Sequence, residues 1–128
     1  MVKKKWSAHW KSSKLPKKQR KYRANAPLHI AHKMIAAHLS KELREKYHKR
    51  ALPLRKGDKV KIMRGKFKGI IGEIEKISLH KKKVYVRGAE LQKQGGAIKT
   101  FVWLDPSNLQ IVTLNLDDKK RVETLEKK

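Results

Sequence analysis

No acidic residue precedes Glu42, no cysteine occurs anywhere, and no apolar run approaches the ~18 residues of a membrane-spanning helix. Without cysteine there are no disulfides and no cysteine-ligated zinc. The basic N-terminus is not followed by an apolar stretch, so no signal peptide is expected and the chain reads as soluble and intracellular. Aromatics make up 6% and hydrophobic residues 38% of the 128 residues, a thin supply for a core. An enzyme of this length ordinarily needs a larger core to hold a site rigid.

What the chain has in excess is positive charge. Lys and Arg number 35 against 11 Asp and Glu, a formal net charge of +24. Such an excess repels itself, and a polyanion relieves the repulsion. The charge is uneven: residues 1–53 hold 16 Lys/Arg against Glu42 and Glu45, whereas residues 54–128 hold 19 against nine acids. An acid-free N-terminal arm has little to bury and much to repel, so it is expected to be extended and to order on a partner.

Four stretches are expected along the chain. Residues 1–26 read as an extended basic arm in which Trp6, Trp10 and Tyr22 are interleaved with cations. Residues 27–53 read as a short helical segment. Pro27 suits a first helical turn, and Leu28, Met34, Ile35 and Leu39 could line one face. Ser40 is an N-cap candidate for a second helix carrying Leu43 and Tyr47, with Glu42–Lys46 and Glu45–Lys49 at i,i+4. Residues 54–113 switch to a period of two, with strands expected near 58–64, 69–78, 83–88, 97–104 and 108–113. Lys81–Lys83 and Gln94–Gly96 are expected in loops, and the slip in alternation between Ile74 and Ile77 points to a bulge. Asp105-Pro106-Ser107-Asn108 is a turn signal with Asp capping. Residues 114–128 form an extension in which Asp117-Asp118 starts a short helix reaching about Glu126.

The most informative stretch is RKGDKVKIMRGKFKGIIGEIEKI, Arg55 to Ile77. Val60 and Ile62 alternate with Lys59 and Lys61, Arg64 to Gly69 turn the chain, and Gly72, Ile74 and Ile77 carry it back. This pattern resembles the KOW motif, which occurs in ribosomal proteins and in transcription elongation factors. The flanks narrow the choice. Ala26-Pro27-Leu28-His29 and Leu39–Tyr47 precede the motif, and Pro106-Ser107-Asn108 and Leu114–Asp117 follow it. Their spacing is similar to that of the archaeal and eukaryotic forms of the KOW-type large-subunit ribosomal protein, numbered twenty-four in bacteria and twenty-six in eukaryotes. The resemblance covers roughly residues 15–125.

The resemblance implies a mainly β fold: a small SH3-like barrel containing the KOW motif, with the arm, short helices before it and a short C-terminal helix. It implies a cytoplasmic, monomeric constituent of the large ribosomal subunit that binds the 5′ region of the large-subunit rRNA and acts early in assembly. It places the protein near the nascent-peptide exit, with neighbouring ribosomal proteins and factors docking at that exit as further partners. No cofactor and no membrane are implied. The alternative from the motif alone is an accessory module of transcription elongation. Those factors usually carry a separate N-terminal domain with an apolar core, which residues 1–53 cannot supply.

Candidate RNA-binding residues fall in four groups. In the arm they are Lys17, Lys18, Arg20, Lys21, Tyr22 and Arg23, where Arg and Tyr can stack on bases and Lys acts as a point charge. After Pro27 they are His29, His32 and Lys33. At the loop they are Arg64, Gly65, Lys66, Phe67, Lys68 and Gly69: the glycines could let backbone N–H groups approach phosphate while the cations neutralise it. The bland reading of that loop is a hairpin tip whose glycines only permit positive φ. Phe67 could pack in the core or stack on an unpaired base, and Gly72 reads as a packing glycine. The fourth group is Lys81, Lys82 and Lys83. His29, His32 and His38 invite a metal reading, but no cysteine or nearby carboxylate completes a ligand set; they face phosphate or pack where arm meets barrel. Asp58 after Gly57 looks like turn chemistry. No nucleophile, metal or cofactor motif supports an enzyme.

Overall fold

The computed structural model describes residues 6–92 and 99–127; the expected Gln94–Gly96 loop and the first two residues of the expected 97–104 strand lie outside them. In chain order a 3-10 turn (Ala8–Ser12) is followed by α1 (Pro16–Asn25), α2 (Leu28–Met34), β1 (Ala36–Leu39), α3 (Lys41–Tyr47) and β2 (Ala51–Pro53). Then come β3 (Lys59–Ile62), β4 (Ile71–Ser78), β5 (Lys83–Val86), β6 (Glu90–Gln92), β7 (Lys99–Phe101), a second 3-10 turn (Pro106–Asn108), β8 (Leu109–Thr113) and α4 (Lys119–Glu126). Six strands form one sheet in the order β2-β1-β8-β3-β4-β5, and β6 pairs with β7 separately. The fold is mixed α/β and broadly barrel-like, where the sequence reads as mainly β.

Period-two alternation builds the sheet. Val60, Ile62, Ile74, Val84, Val86, Leu109 and Ile111 are buried, while Lys59 and Glu75 between them face out. β4 meets β5 with a register shift between Ile74 and Lys76, the bulge expected where the alternation slips. At the second 3-10 turn Asp105 accepts from the Ser107 N–H at 3.0 Å, as a capping Asp should.

Two expectations give way. The arm is not extended through residues 8–25. Pro16 stands in the first turn of α1 and good helix formers follow it, so local propensity decides where no core does. The 3-10 turn packs against α1, Trp6 Nε1 donates to the Tyr22 carbonyl at 3.1 Å, and the two rings lie 5.3 Å apart. Residues 27–53 also contribute strands as well as helices. Ile35 and Leu39 fit a helical spacing of four, but Ile35, Ala37 and Leu39 also fit a spacing of two, and all three are buried. The second pattern prevails because β1 pairs parallel with β8 and antiparallel with β2. Pro53 sits in β2 at the sheet edge, where its missing N–H costs no ladder bond. Ser40 does cap α3, accepting from the Leu43 N–H.

The C-terminal helix closes this sheet through one buried ion pair. Asp58, fully buried just before β3, receives both terminal nitrogens of Arg121 at 2.7 Å each. The same guanidinium donates to the carbonyls of Asn115 (2.8 Å) and Pro53 (3.2 Å). The carboxylate also accepts the backbone N–H groups of Arg55 (3.0 Å) and Asn115 (2.8 Å). Asp58 is therefore far more than turn chemistry. Asp118 caps α4 through the Lys120 N–H and pairs with Arg55 at 2.5 Å, and Leu125, one turn after Arg121, enters the core.

Replacing Arg121 by Leu leaves a buried carboxylate without its counter-charge, a loss on the order of 3–5 kcal/mol. We expect the urea midpoint of Arg121→Leu to drop accordingly. The double variant Asp58→Leu/Arg121→Leu should not recover it, because the Arg55 and Asn115 N–H groups then lose their acceptor. An unchanged midpoint in the single variant would show the pair to be dispensable.

Candidate nucleic-acid interface

The loop between β3 and β4 is held by the sheet at its base. Gly69 N–H donates to the Ile62 carbonyl (2.8 Å) and Ile62 N–H to that of Ile70 (2.9 Å). Gly65 and Gly69 both have φ near +95°, and a Cβ added to either would meet nothing within 4 Å, so open space surrounds the tip. Arg64, Lys66 and Lys68 are exposed there, while Phe67 turns inward and packs against the core. The Gly69 N–H is thus engaged internally, as is that of Lys68 with Gly65 O. A phosphate at this tip would be met by the three long cationic side chains. Gly72 does serve packing, since a Cβ there would run into the Arg87 carbonyl.

On the arm, Lys17, Lys18, Arg20, Lys21 and Arg23 are all exposed along α1, and Tyr22 is half-buried against Trp6. Lys21 lies over the Trp10 ring, Nζ 4.7 Å from its centroid. Between this helical hairpin and α2 runs an open cleft of about 660 Å³, lined by Lys11, Gln19, Tyr22, Arg23, Ile30, Lys33 and Met34. Lys11, Gln19, Ile30 and Met34 are not among the residues that the sequence singles out for RNA. A signal exists in Ile30, Lys33 and Met34, spaced to share one helical face.

The remaining candidates divide. His29 is exposed, but His32 borders a different hollow, one that also holds Asp117 and Asp118 and so suits phosphate poorly. Burial, then Arg44 and Arg50, lower the pKa of His38 and favour its neutral form. No three His, Asp or Glu side chains converge as metal ligands among the described residues. In the third loop the lysines part company. Lys81 is exposed, Lys83 pairs with Asp105 at 3.5 Å, and Lys82 is buried at a positive φ of 55°. Burial, then the Arg23 guanidinium, lower the Lys82 pKa. The Ser107 backbone N–H foremost, with Lys83 assisting, holds Asp105 below the usual carboxylate range.

An aromatic cluster lies beside that loop. Tyr85 and Phe101 have centroids 4.8 Å apart, Trp103 meets Phe101 edge-on at 5.4 Å, and Lys76 and Lys81 lie over Phe101 and Trp103.

Charge balance separates structural cations from the rest. Ion pairs among the described residues engage Arg55, Lys83, Arg87 and Arg121. Lys83 apart, every candidate Lys and Arg, on the arm, on α2 and at the loop, has no acidic partner there. Residues 13–128 match the family of ribosomal proteins L26 of eukaryotes and L24 of archaea. The chain belongs to that family. It is accordingly a structural, RNA-binding constituent of the large ribosomal subunit in the cytoplasm and not an enzyme. The elongation-factor alternative gains no support from this match. The matched residues begin close to the start of the KOW-protein resemblance and take in α1, α2 and the whole sheet.

Burial, then the hydrogen bond to Glu90 (2.7 Å), push the Tyr85 phenol up to about 12. Because the folded value lies above the ordinary tyrosine value near ~10, this contribution to stability is complete below about pH 10. It is lost as pH rises through about 12. Ultraviolet titration should show one phenol resisting ionisation until about pH 12, and Glu90→Gln should bring that step to lower pH. A step unmoved by Glu90→Gln would assign the shift to burial and the Glu75 charge.

Proposed function

We propose that this ribosomal protein binds the 5′ region of the large-subunit rRNA through two basic surfaces, the Arg64–Gly69 loop and the N-terminal arm. On this reading the six-stranded sheet is the SH3-like barrel of a KOW module. The barrel fixes the loop against rRNA early in assembly, close to the nascent-peptide exit, beside neighbouring proteins and the factors that dock there. The carrying observation is the set of exposed cations without acidic partners among the described residues: Lys17, Lys18, Arg20, Lys21 and Arg23 on the arm, Lys33 on α2, and Arg64, Lys66 and Lys68 on the loop. Neighbouring charges of one sign raise the free energy of the isolated protein, and phosphates at those positions lower it while releasing counterions. Two positive-φ glycines in open space support the loop's part, since the tip can lie close against a strand. His29 and Lys81 extend the two surfaces; Phe67 acts by holding the loop from inside.

The test reverses charge at the tip. Lys66→Glu/Lys68→Glu should weaken binding to a fragment from the 5′ region of the large-subunit rRNA. It should also flatten the log–log salt dependence by roughly 0.7–0.9 for each phosphate no longer neutralised. Its circular dichroism and urea midpoint should match the parent. Equal affinity would remove the loop from the interface, and loss of the β signal would make the loop structural instead. The parent protein should stay with the large subunit through a high-salt wash.

A further inference from the structure

The cleft between the N-terminal helical hairpin and α2 has a composition that a simple electrostatic tether does not need. Its floor is apolar: Ile30 and Met34, one turn apart on α2, are both half-buried. Tyr22 forms a wall and is backed by Trp6, 5.3 Å away. Lys11, Arg23 and Lys33 ring the opening, and no acid among the described residues lines it. At about 660 Å³ it falls within the roughly 300–1,000 Å³ of clefts that take small-molecule ligands.

Each part of this arrangement excludes something. Double-stranded nucleic acid offers phosphates to the rim but nothing to the floor, since its bases are stacked away inside. An apolar protein side chain would suit the floor but would desolvate three cations with no counter-charge. A base turned out of its stack satisfies both, with an aromatic or apolar surface for its face and cations for the phosphates on either side.

We propose that this cleft receives one unpaired nucleotide of an RNA strand. The base lies between Tyr22 and the Ile30–Met34 floor, on the side of Tyr22 away from Trp6, and its flanking phosphates meet Lys11, Arg23 and Lys33. The inference rests on the arm's contact with rRNA and gives that contact a preference for single-stranded or bulged sites. Because every base has a π-face, the preference is for the unpaired state over any one sequence.

The experiment uses the full chain and two RNA hairpins with the same stem, one fully paired and one carrying a single bulged 2-aminopurine. The bulged hairpin should bind about tenfold more tightly, the scale of one base–aromatic stack, and its fluorescence should be quenched on binding. Tyr22→Ala should abolish both the preference and the quench. Ile30→Ala/Met34→Ala strips the floor without touching a charge or the Trp6–Tyr22 pair. It should do the same with its helical signal intact, which separates loss of the cleft from loss of the arm's fold. Equal affinity for the two hairpins, or a quench that survives both variants, would overturn the proposal. Displacement of the quenched base by adenosine monophosphate at concentrations like those of the hairpin would assign the cleft to a free nucleotide and also overturn it. Failure of the parent to bind either hairpin would overturn the arm's role in RNA binding itself. That result is distinct from a protein that binds both hairpins equally.

Discussion

The bidentate contact between Arg121 and Asp58 is the interaction on which the folded part depends. It joins segments distant in sequence: the end of β2 through the Pro53 carbonyl, the approach to β3 through Asp58 and Arg55, the exit from β8 through Asn115, and α4 through Arg121 itself. A buried ion pair is often replaceable by apolar residues at little cost. This one is not of that kind, because its carboxylate also terminates two backbone N–H groups and its guanidinium two carbonyls. Remove the charges and four part-buried backbone groups lose partners along with them. In a chain with few large apolar residues, a polar hub can hold the ends of several strands together where a larger core might otherwise do so.

Few acids are available for such work, and their placement is telling. Asp58, Glu75, Asp105 and Asp118 each pair with a cation on or beside the sheet, or at the start of α4. Among the described residues the fold neutralises itself where the backbone must close and leaves α1, α2 and the loop tip without acidic partners. The same scarcity therefore has two consequences. It concentrates stability in the sheet, and it leaves a long-range attraction for polyanions on the surfaces around it. For a structural constituent of the large ribosomal subunit, both consequences serve the same end.

Local signals in the sequence carry most of the sheet. Strand positions, the bulge after Ile74, the Ser40 cap, the Asp105 turn and the Asp118 start of α4 each follow from a side chain acting on its own neighbourhood, and such effects are visible in one dimension. The failures share a cause of the opposite kind. Ile35, Ala37 and Leu39 satisfy a helical period and a strand period at once, and only pairing with β8, some 70 residues away, selects the strand. Asp58 looks like turn chemistry because its partner lies 63 residues downstream. The arm differs for another reason: charge repulsion argues for an extended chain, yet α1 lays its cations along an exposed helix where solvent screens them. The cleft is invisible in one dimension because its two walls come from separate helices. Lys82 reads as one surface cation among three because nothing local announces its burial.

The two basic surfaces differ in how much order they bring to a complex. At the loop, backbone hydrogen bonds at the base and Phe67 against the core fix the backbone that carries three cations before any partner arrives, so the backbone loses little conformational entropy on contact. Such a surface sets register. The arm is held by fewer contacts, chiefly Trp6 on Tyr22 and Lys21 over Trp10, both exposed or half-buried and both replaceable by stacking with bases. An arm of this kind can exchange its internal stacks for external ones at small net cost. On the proposed reading it adapts to its partner's shape while the sheet keeps it tethered at a high effective concentration. On the proposed reading the loop decides where the protein sits and the arm decides how tightly it stays. The division follows from where the backbone hydrogen bonds are, more than from where the charges are.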